Sequence, residues 1–207
     1  MNPPSVAAPS SVLRRSKRAA RRALTPHAQQ SHARAVARHL AVSKLLLCFK
    51  RFAVYAPSDG ELDPSPFAEH LLAANKIVAL PVIESARRLS FYRYRDDTRL
   101  VRNRYDINEP DTRVATHVAT AIIDVVLVPL VAFDDAGYRL GMGGGFYDST
   151  FGARRRALLI GLAHEVQHSD QVPHRHWDVP LDGVVTERAA TGFTIRGRRF
   201  MTTHETR

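Results

Sequence analysis

Cysteine and long apolar runs are scarce in this chain, and each scarcity excludes a class of protein. One cysteine, Cys48, among 207 residues rules out an internal disulfide framework and a four-cysteine zinc site. The longest apolar runs, such as DVVLVPLVAF at 124–133, are too short to span a bilayer. No basic-then-apolar signal peptide opens the chain. We therefore expect a protein of the reducing cytoplasm, with no membrane partner.

Acidic residues are missing from the first quarter of the chain, where the first one is Asp59. Eleven of the 30 Lys and Arg precede it, and the other 19 are balanced by the 20 acidic residues that follow. The net charge of +10 therefore comes from residues 1–58, which we call the basic arm. Three interpretations are open. The arm is a solvated helical face, a phosphate-binding arm for nucleic acid or nucleotide, or a transit peptide. The last is weakened because the arm continues into patterned sequence without an evident cleavage boundary.

From residue 52 onward the chain carries short, apolar, mostly β-branched runs. They predict buried strands at 52–57, 76–83, 124–133, 157–163 and 183–187. A helix is predicted at 63–76, with Asp63 as the candidate N-cap. It lies between the first two predicted strands, and such a strand–helix–strand unit implies a parallel sheet with a right-handed crossover. The alternating run at 87–96 predicts an antiparallel or edge strand.

The basic arm itself predicts helices. One begins at the serines of SSVLRRSKRAARRAL, and Thr25 with Pro26 is typical of an N-cap and first helical residue, opening a helix that continues into 35–47. We expect Met1 to Pro9 to be a disordered tail and residues 10–207 to form a single domain. The predicted fold is α/β, a three-layer α/β/α arrangement with a mostly parallel sheet, preceded by basic N-terminal helices.

The segment RLGMGGGFYD, at 139–148, places four glycines within five residues between a predicted strand and a predicted helix at 146–156. Such a turn can aim main-chain amides at an anion, or it can be a structural turn only. It is not a dinucleotide fingerprint, because Phe146 stands where the third glycine would fall, and no Gly-Lys-Ser/Thr follows as in a Walker loop. Arg139 favours phosphate slightly.

Carboxylates near such a site suit Mg²⁺, although Asp148 and Asp182 taken singly are typical of a cap and a turn. We expect YAPSDGE at 55–61, the glycine segment and DVPLDG at 178–183 to meet at the carboxyl edge of the sheet. The run HRHWD would place His174, His176 and Asp178 on one face of a strand. A transition-metal site there lacks an evident third ligand from elsewhere in the chain.

The order of motifs resembles the 5-formyltetrahydrofolate cyclo-ligase family, from about Leu13 to Glu187. The resemblance rests on RRALTP, YAPSDGELDPSPF, YDINEP, VLVPLVAFDDAGYRLGMGGGFYD and WDVPLDGVVTE. It implies a ligase that closes 5-formyltetrahydrofolate to 5,10-methenyltetrahydrofolate with ATP and Mg²⁺, releasing ADP and phosphate. In that chemistry the formyl oxygen attacks the γ-phosphate, and the neighbouring folate nitrogen then expels phosphate.

The resemblance also implies roles for individual residues. Ser10 departs from the lysine that the family often has there, and Arg15, Lys17 or Arg18 would compensate. The implied ATP-binding residues are Arg14, Arg139, Leu140, Gly141, Met142, Gly143, Gly144, Gly145, Phe146 and Tyr147. The implied folate-binding residues are Ala56, Glu61, Tyr105, Met142, Gly143, Gly144, Gly145 and Phe146. The implied magnesium carboxylates are Asp148 and Asp182.

Two other classes of function compete with the ligase. A nucleic-acid-binding protein would use the basic arm, but the near-neutral remainder of the chain argues against it. A sugar-phosphate isomerase or acyl-CoA-type enzyme would need a base near the glycine segment and no ATP. The sequence leaves the oligomeric state open.

Overall fold

The computed structural model describes residues 9–84, 87–152, 156–175 and 177–201. Its helices are α1 (Ser10–Arg22), α2 (Pro26–Ala41), α3 (Lys44–Cys48), α4 (Ser65–Ala73), α5 (Phe146–Phe151) and α6 (Ile195–Met201). Its first six strands are β1 (Arg51–Ala53), β2 (Ile77–Ile83), β3 (Leu89–Tyr94), β4 (Leu100–Arg102), β5 (Asn108–Pro110) and β6 (His117–Val118). The other strands are β7 (Val125–Pro129), β8 (Ala132–Phe133), β9 (Arg139–Leu140), β10 (Leu158–Leu162), β11 (Gly183–Val185) and β12 (Ala190–Gly192).

The main sheet contains eight strands in the order β12-β11-β10-β7-β1-β2-β3-β6. The central strands from β11 to β2 are parallel to one another, and antiparallel strands flank them on both sides. The predicted mostly parallel α/β sheet is confirmed. The run at 87–96 forms β3, which pairs with β2 in antiparallel register as predicted.

Two apolar clusters fill the two faces of this sheet. On one face, residues of α2, α3, α4 and α6 pack against alternate residues of the strands, with Leu40, Phe67 and Met201 among the buried side chains. The other face is covered by α5 and irregular segments, through residues such as Phe151 and Val179. The second covering layer is thinner because α5 has only six residues.

The N-terminal helices begin where the sequence predicts and end earlier. Thr25 caps α2 by accepting a hydrogen bond from the Ala28 amide at 3.2 Å. The helix ends at Ala41 instead of running to residue 47, because the Ser43 hydroxyl donates to the Leu40 carbonyl at 2.6 Å and then caps α3. The expected disordered tail falls mostly outside the described residues; Pro9 is the N-cap residue of α1.

Three other predicted elements have different bounds. The apolar run 124–133 divides into β7 and β8, because β8 leaves the main sheet to pair with β9 in a separate hairpin. Helix α4 begins at Ser65, and the Asp63 carboxylate accepts from the Ser65 amide at 2.8 Å instead of occupying the N-cap position. Helix α5 ends at Phe151, before Gly152 with its φ of +57°; residues 153–155 lie outside the description.

The strand order reverses at β1, which lies between β2 and β7. In open α/β sheets such a reversal opens a crevice outside the carboxyl ends of the strands. The chain segments that follow β1 and β7 therefore meet at a natural ligand position. No helix in the described part of the chain has the length and apolar character needed to cross a bilayer.

Candidate functional site

The glycine loop, residues 141–145, follows the β8–β9 hairpin and leads into α5. Gly143 and Gly145 have φ values of +101° and +66°, which side chains with a Cβ adopt only with strain. Gly144 does not have a positive φ; a Cβ there would lie 2.5 Å from the Phe146 ring. At Gly141 a Cβ would meet nothing within 4 Å. The loop therefore needs glycine at three positions for two different local reasons.

Arg139 and Asp148 form an ion pair across the glycine loop. Arg139 Nη2 lies 2.7 Å from Asp148 Oδ1, and the Arg139 side chain is only 7% exposed. The same guanidinium donates to the Val179 carbonyl, and the Val179 amide donates to Asp148 Oδ1 at 3.3 Å. Asp148 remains one-third exposed. Arg139 thus holds a carboxylate in place beside the loop.

Helix α1 lies against the same loop. Arg14 Nε donates to the Gly141 carbonyl at 2.9 Å, and its Nη2 approaches Gly143. One turn further, Lys17 Nζ donates to the carbonyls of Val166 and His168. Two cations of the basic arm thus face main-chain oxygens at the carboxyl edge of the sheet.

Three arginines of α1 converge on Asp59, in the loop that follows β1. Arg18 Nε and Arg21 Nη2 each lie 2.7 Å from Asp59 Oδ2, and Arg22 contacts Oδ1. Arg21 is completely buried and also donates to the carbonyls of Asp59 and Leu130 at 2.9 and 3.1 Å. The interpretation of the arm as a solvated face is therefore wrong for Arg21, whereas the Arg22 side chain, 56% exposed, does lie on a solvated face.

Glu61 lies at the end of that loop with a side chain that is 10% exposed. Its Oε2 accepts from the Ser58 amide at 3.1 Å, and its Oε1 lies 3.8 Å from Arg21 Nη2. Burial raises the pKa of Glu61, while Arg21 and the Ser58 hydrogen bonds oppose the rise. Burial and then the charge of Glu61 raise the pKa of Tyr55 and of Tyr147. The charge of Glu61 therefore acts both on Tyr55, next to β1, and on Tyr147 of α5.

A cleft of about 170 Å³ adjoins this loop. Ala56 lines it together with other residues of the segment that follows β1 and with residues of α4, β2 and β3, and the β4–β5 hairpin contributes Leu100 and Asn108. Tyr105 is not among the described lining residues: it lies at the tip of that hairpin, 52% exposed, with the Arg104 guanidinium 5.0 Å from its ring centre. Ala56 and Glu61 thus lie on the same loop, but of the two only Ala56 is among the lining residues of the cleft, and Tyr105 is turned to solvent.

The two predicted magnesium carboxylates have different surroundings. Asp182 is 3% exposed, and its oxygens accept from the Leu159 amide at 2.9 Å and from the Thr194 hydroxyl at 2.8 Å. It directly precedes β11, so the expectation that DVPLDG meets the carboxyl edge is wrong for Asp182, which lies at the amino end of the strand. Asp148, partly exposed beside the glycine loop, is a carboxylate that Mg²⁺ can reach. The Asp182 oxygens already accept hydrogen bonds inside the protein.

The alternating HRHWD run does not form a ligand set in the described residues. The ring of His174 stacks on Tyr138 with centroids 3.4 Å apart, and Asp178 Oδ2 accepts from the Arg175 amide. His176 lies outside the described residues.

Sequence reasoning missed two constellations at the carboxyl edge. One is the contact of Arg21 with Asp59, 38 positions away. The other is a cluster of His32, His164 and Glu187, whose ligand atoms lie within 4.8 Å of one another. Neither has a local motif, although the positions of His164, just beyond the strand predicted at 157–163, and of Glu187, at the end of the strand predicted at 183–187, are a usable signal.

Comparison with known proteins gives one consistent result. Residues 6–187 match the model of the 5-formyltetrahydrofolate cyclo-ligase family. A 5-formyltetrahydrofolate cyclo-ligase of Escherichia coli (strain K12) is 41% identical over 170 residues, which cover 80% of this chain and 93% of that protein.

Solved structures of similar proteins agree with this family match. A 5,10-methenyltetrahydrofolate synthetase of Aquifex aeolicus has a TM-score of 0.78 at 30% identity, covering 96% of this chain and 99% of that one. The synthetase of Mycoplasma pneumoniae, at 24% identity and a TM-score of 0.68, covers 87% and 99% and shares the fold.

Proposed function

Because this chain belongs to the 5-formyltetrahydrofolate cyclo-ligase family, we propose that it closes 5-formyltetrahydrofolate to 5,10-methenyltetrahydrofolate. ATP is the co-substrate, Mg²⁺ the cofactor, and ADP and phosphate the other products. One observation carries the assignment to this site: α1 contacts both loops of the crevice, through Arg14 to the glycine loop and through Arg21 to the loop that ends at Glu61.

The glycine loop is the proposed binding site for the ATP phosphates. Its backbone can lie close to phosphate oxygens where a Cβ would intrude, and the N–H groups of Arg14 that Gly141 leaves free supply positive charge. The predicted ATP contacts of Leu140, Met142, Phe146 and Tyr147 remain part of the proposal. Met142 is half exposed and Leu140 is buried, so direct contact suits Met142 better.

The reaction needs positioning more than covalent help from the protein. The formyl oxygen attacks the γ-phosphorus and ADP leaves, so that the oxygen becomes part of a phosphate leaving group. The neighbouring folate nitrogen then forms the new C–N bond as the C–O bond breaks and phosphate departs. Phosphoryl transfer of this kind is accelerated mainly by alignment and charge neutralisation. Amides, arginines and carboxylates, the groups that line this crevice, suit that task.

The folate is proposed to bind in the cleft that adjoins the loop after β1. Ala56 lines its wall, and the buried carboxylate of Glu61 can accept hydrogen bonds from ring N–H groups. Tyr105 can stack on the folate only if the β4–β5 hairpin turns its tip inward.

Mg²⁺ would be held by Asp148, where it neutralises charge on the phosphate oxygens. Arg139 keeps that carboxylate oriented at 2.7 Å. For Asp182 to join, it would have to share an oxygen that already accepts a hydrogen bond from Leu159 or Thr194. Its role as a ligand stays a prediction. We also propose a cytoplasmic location, in keeping with the single exposed thiol of Cys48.

The test is incubation of the protein with 5-formyltetrahydrofolate, with and without Mg²⁺ and ATP. The proposal expects methenyl product and ADP in equal amounts only in the complete mixture. Omitting ATP or chelating Mg²⁺ should stop both. Product formed without ATP, or ATP hydrolysed without folate closure, would contradict it. Steeply salt-dependent binding to random DNA without turnover would favour the nucleic-acid alternative instead.

A further inference from the structure

Three ligand-bearing side chains meet at the carboxyl edge of the sheet without any shared sequence motif. His164 follows β10, Glu187 follows β11, and His32 lies on α2, which packs over these strands. We propose that His32, His164 and Glu187 form a binding site for a divalent transition-metal ion, with Zn²⁺ as the best fit. This site is independent of the proposed ligase reaction and of the carboxylate Asp148.

The interatomic distances suit a tetrahedral ion. His32 Nδ1 lies 3.0 Å from His164 Nδ1 and 3.6 Å from Glu187 Oε1. Ligands at about 2.0–2.1 Å from a tetrahedral zinc are about 3.3–3.4 Å apart. These two separations bracket that value, and the third, between His164 and Glu187, is at most 4.8 Å, so side-chain rotations would place all three atoms around one ion. Two imidazoles and one carboxylate are a ligand set that zinc accepts, with water as the fourth ligand.

The imidazole of His164 is held in place inside the protein. His164 is completely buried, and its Nδ1 lies 3.0 Å from His32 Nδ1. Its second nitrogen, Nε2, is buried without a hydrogen-bond partner in the described part of the chain, although the main chain of Gly60 acts to raise the pKa. A metal on Nδ1 would put the ring proton on Nε2, facing that main chain.

The surroundings provide both support and access. Glu187 Oε2 accepts from the Glu165 amide at 3.0 Å, which fixes the carboxylate and leaves Oε1 for the ion. The side chains of His32 and Glu187 are 20% and 17% exposed. An ion and its water ligand can therefore reach the site from solvent while His164 stays buried.

Hydrogen bonding alone satisfies this cluster less completely. A shared proton between the two Nδ1 atoms accounts for their 3.0 Å separation, but Glu187 Oε1 at 3.6 Å is then beyond hydrogen-bonding distance. One cation satisfies all three lone pairs at once. Magnesium is a poor occupant because it prefers oxygen ligands, whereas imidazole selects zinc and its neighbours in the transition series.

The experiment uses full-length protein without a polyhistidine tag, stripped of metal and kept in excess Mg²⁺ so that oxygen sites are filled. Zn²⁺ is titrated in competition with a chromophoric chelator, and Co²⁺ is added separately to read geometry from its visible absorption. We expect one Zn²⁺ per chain and a tetrahedral Co²⁺ spectrum. Because an ion that binds only the folded state stabilises it, the melting temperature should rise by about 5–10 °C at 100 times the dissociation constant.

His32→Ala and Glu187→Gln should each weaken Zn²⁺ binding by at least about tenfold and reduce the thermal shift at the same Zn²⁺ concentration to about half or less. His27→Ala, at an exposed position of the same helix, should bind like the wild type. Circular dichroism without metal establishes that each variant is folded. If His32→Ala fails to fold, the Glu187→Gln titration and the Co²⁺ spectrum decide alone. Wild-type affinity in both variants, or no Zn²⁺ bound by the wild type, would overturn the site and leave a hydrogen-bonded histidine pair.

Discussion

At the scale of single residues, the glycine loop contains positions that look alike in sequence and differ in the structure. Gly143 and Gly145 are required by a positive φ, Gly144 by the nearby ring of Phe146, and Gly141 by nothing in the protein itself. Substitutions along this loop can separate backbone strain from close approach of a ligand.

Gly143→Ala should cost about 1–2 kcal/mol of unfolding free energy, because alanine is strained at a φ of +101°. It should also lower turnover at least about tenfold, since a rise of only about 1.4 kcal/mol in the activation free energy, caused by misaligned phosphates, has that effect. Gly141→Ala is the matched control and should keep wild-type stability. Urea unfolding and steady-state kinetics measure both. Full activity in Gly143→Ala would reduce the loop to a structural turn.

Glu61 should make folate binding pH-dependent. Burial raises the pKa of its carboxyl above the usual glutamate value of 4.5. As the pH falls through that raised pKa, protonation removes the acceptor and the KM for folate should rise. Glu61→Gln should have a high KM for folate at every pH, without the rise at low pH. Glu69→Gln, at an exposed position of α4, should show the same pH dependence of KM as the wild type. A pH profile of KM that is the same in Glu61→Gln and the wild type would exclude this carboxylate from the folate site.

Asp148 and Asp182 should respond differently to the same substitution. Asp148→Asn should raise the Mg²⁺ concentration needed for half-maximal activity, with partial rescue by excess Mg²⁺, and should also lower stability, because the Arg139 guanidinium, only 7% exposed, loses its charge partner. Asp182→Asn should cost about 1–3 kcal/mol of unfolding free energy, since its buried hydrogen bonds to Leu159 and Thr194 are disturbed.

The Mg²⁺ requirement of Asp182→Asn distinguishes the two roles. An unchanged requirement agrees with the contacts seen here. A rise equal to that of Asp148→Asn, with a double variant no worse than the singles, would identify both carboxylates as ligands of one ion.

At the scale of elements, α1 is a helix whose cations serve two loops. Its buried Leu13 packs beside Ala132 and Leu140, and its arginines reach the glycine loop and the loop after β1. The helix thereby couples the proposed phosphate and folate positions. The concentration of positive charge in the first quarter of the chain has a structural reason as well as a proposed functional one.

Arg14→Ala should raise the KM for ATP much more than the KM for folate. Loss of one charge-assisted phosphate contact amounts to about 1–3 kcal/mol, or roughly 5- to 150-fold. Arg34→Ala is the control, because Arg34 is an exposed arginine of α2 with no implied role in ATP binding. Kinetics with each substrate varied in turn provide the measurement. An unchanged ATP constant would limit Arg14 to holding the Gly141 carbonyl.

At the scale of the whole molecule, Arg21 joins three separate parts of the chain. Its guanidinium connects α1 with the loop after β1 and with the Leu130 carbonyl at the end of β7. A buried charge with several partners is costly to unpair. The packing of α1 against the carboxyl edge of the sheet therefore depends on the hydrogen bonds of the Arg21 side chain.

Arg21→Met should lower the unfolding free energy by about 3–5 kcal/mol, because Asp59 and two carbonyls lose a donor while the apolar stem is kept. Such a loss is a large part of a total that is typically about 5–15 kcal/mol. Arg18→Ala also removes a partner of Asp59, but Arg18 is 31% exposed, so about 1 kcal/mol or less is expected. Equal effects in urea unfolding would show that burial of Arg21 is not what matters.

Much of this architecture is encoded locally. Strand-forming runs such as 76–83 and 157–163 predict β2 and β10 because their side chains are apolar irrespective of the partner strand. Thr25 and Pro26 predict the start of α2 because capping involves only neighbouring residues. The glycine segment and the order of motifs identify the family, and the comparisons confirm it.

The arrangement of the site depends on contacts between residues that are far apart in the chain. Asp182 directly precedes both the strand predicted at 183–187 and the observed β11, so the strand bound was predicted correctly and the error concerned the edge of the sheet. Because β11 runs parallel to β10, the residue before it lies at the amino edge. The pairing of Arg21 with Asp59 and the meeting of His32, His164 and Glu187 follow from how α1 and α2 pack over the strands. Such packing is specified by the total burial of apolar surface, so no short stretch of the chain carries its signal.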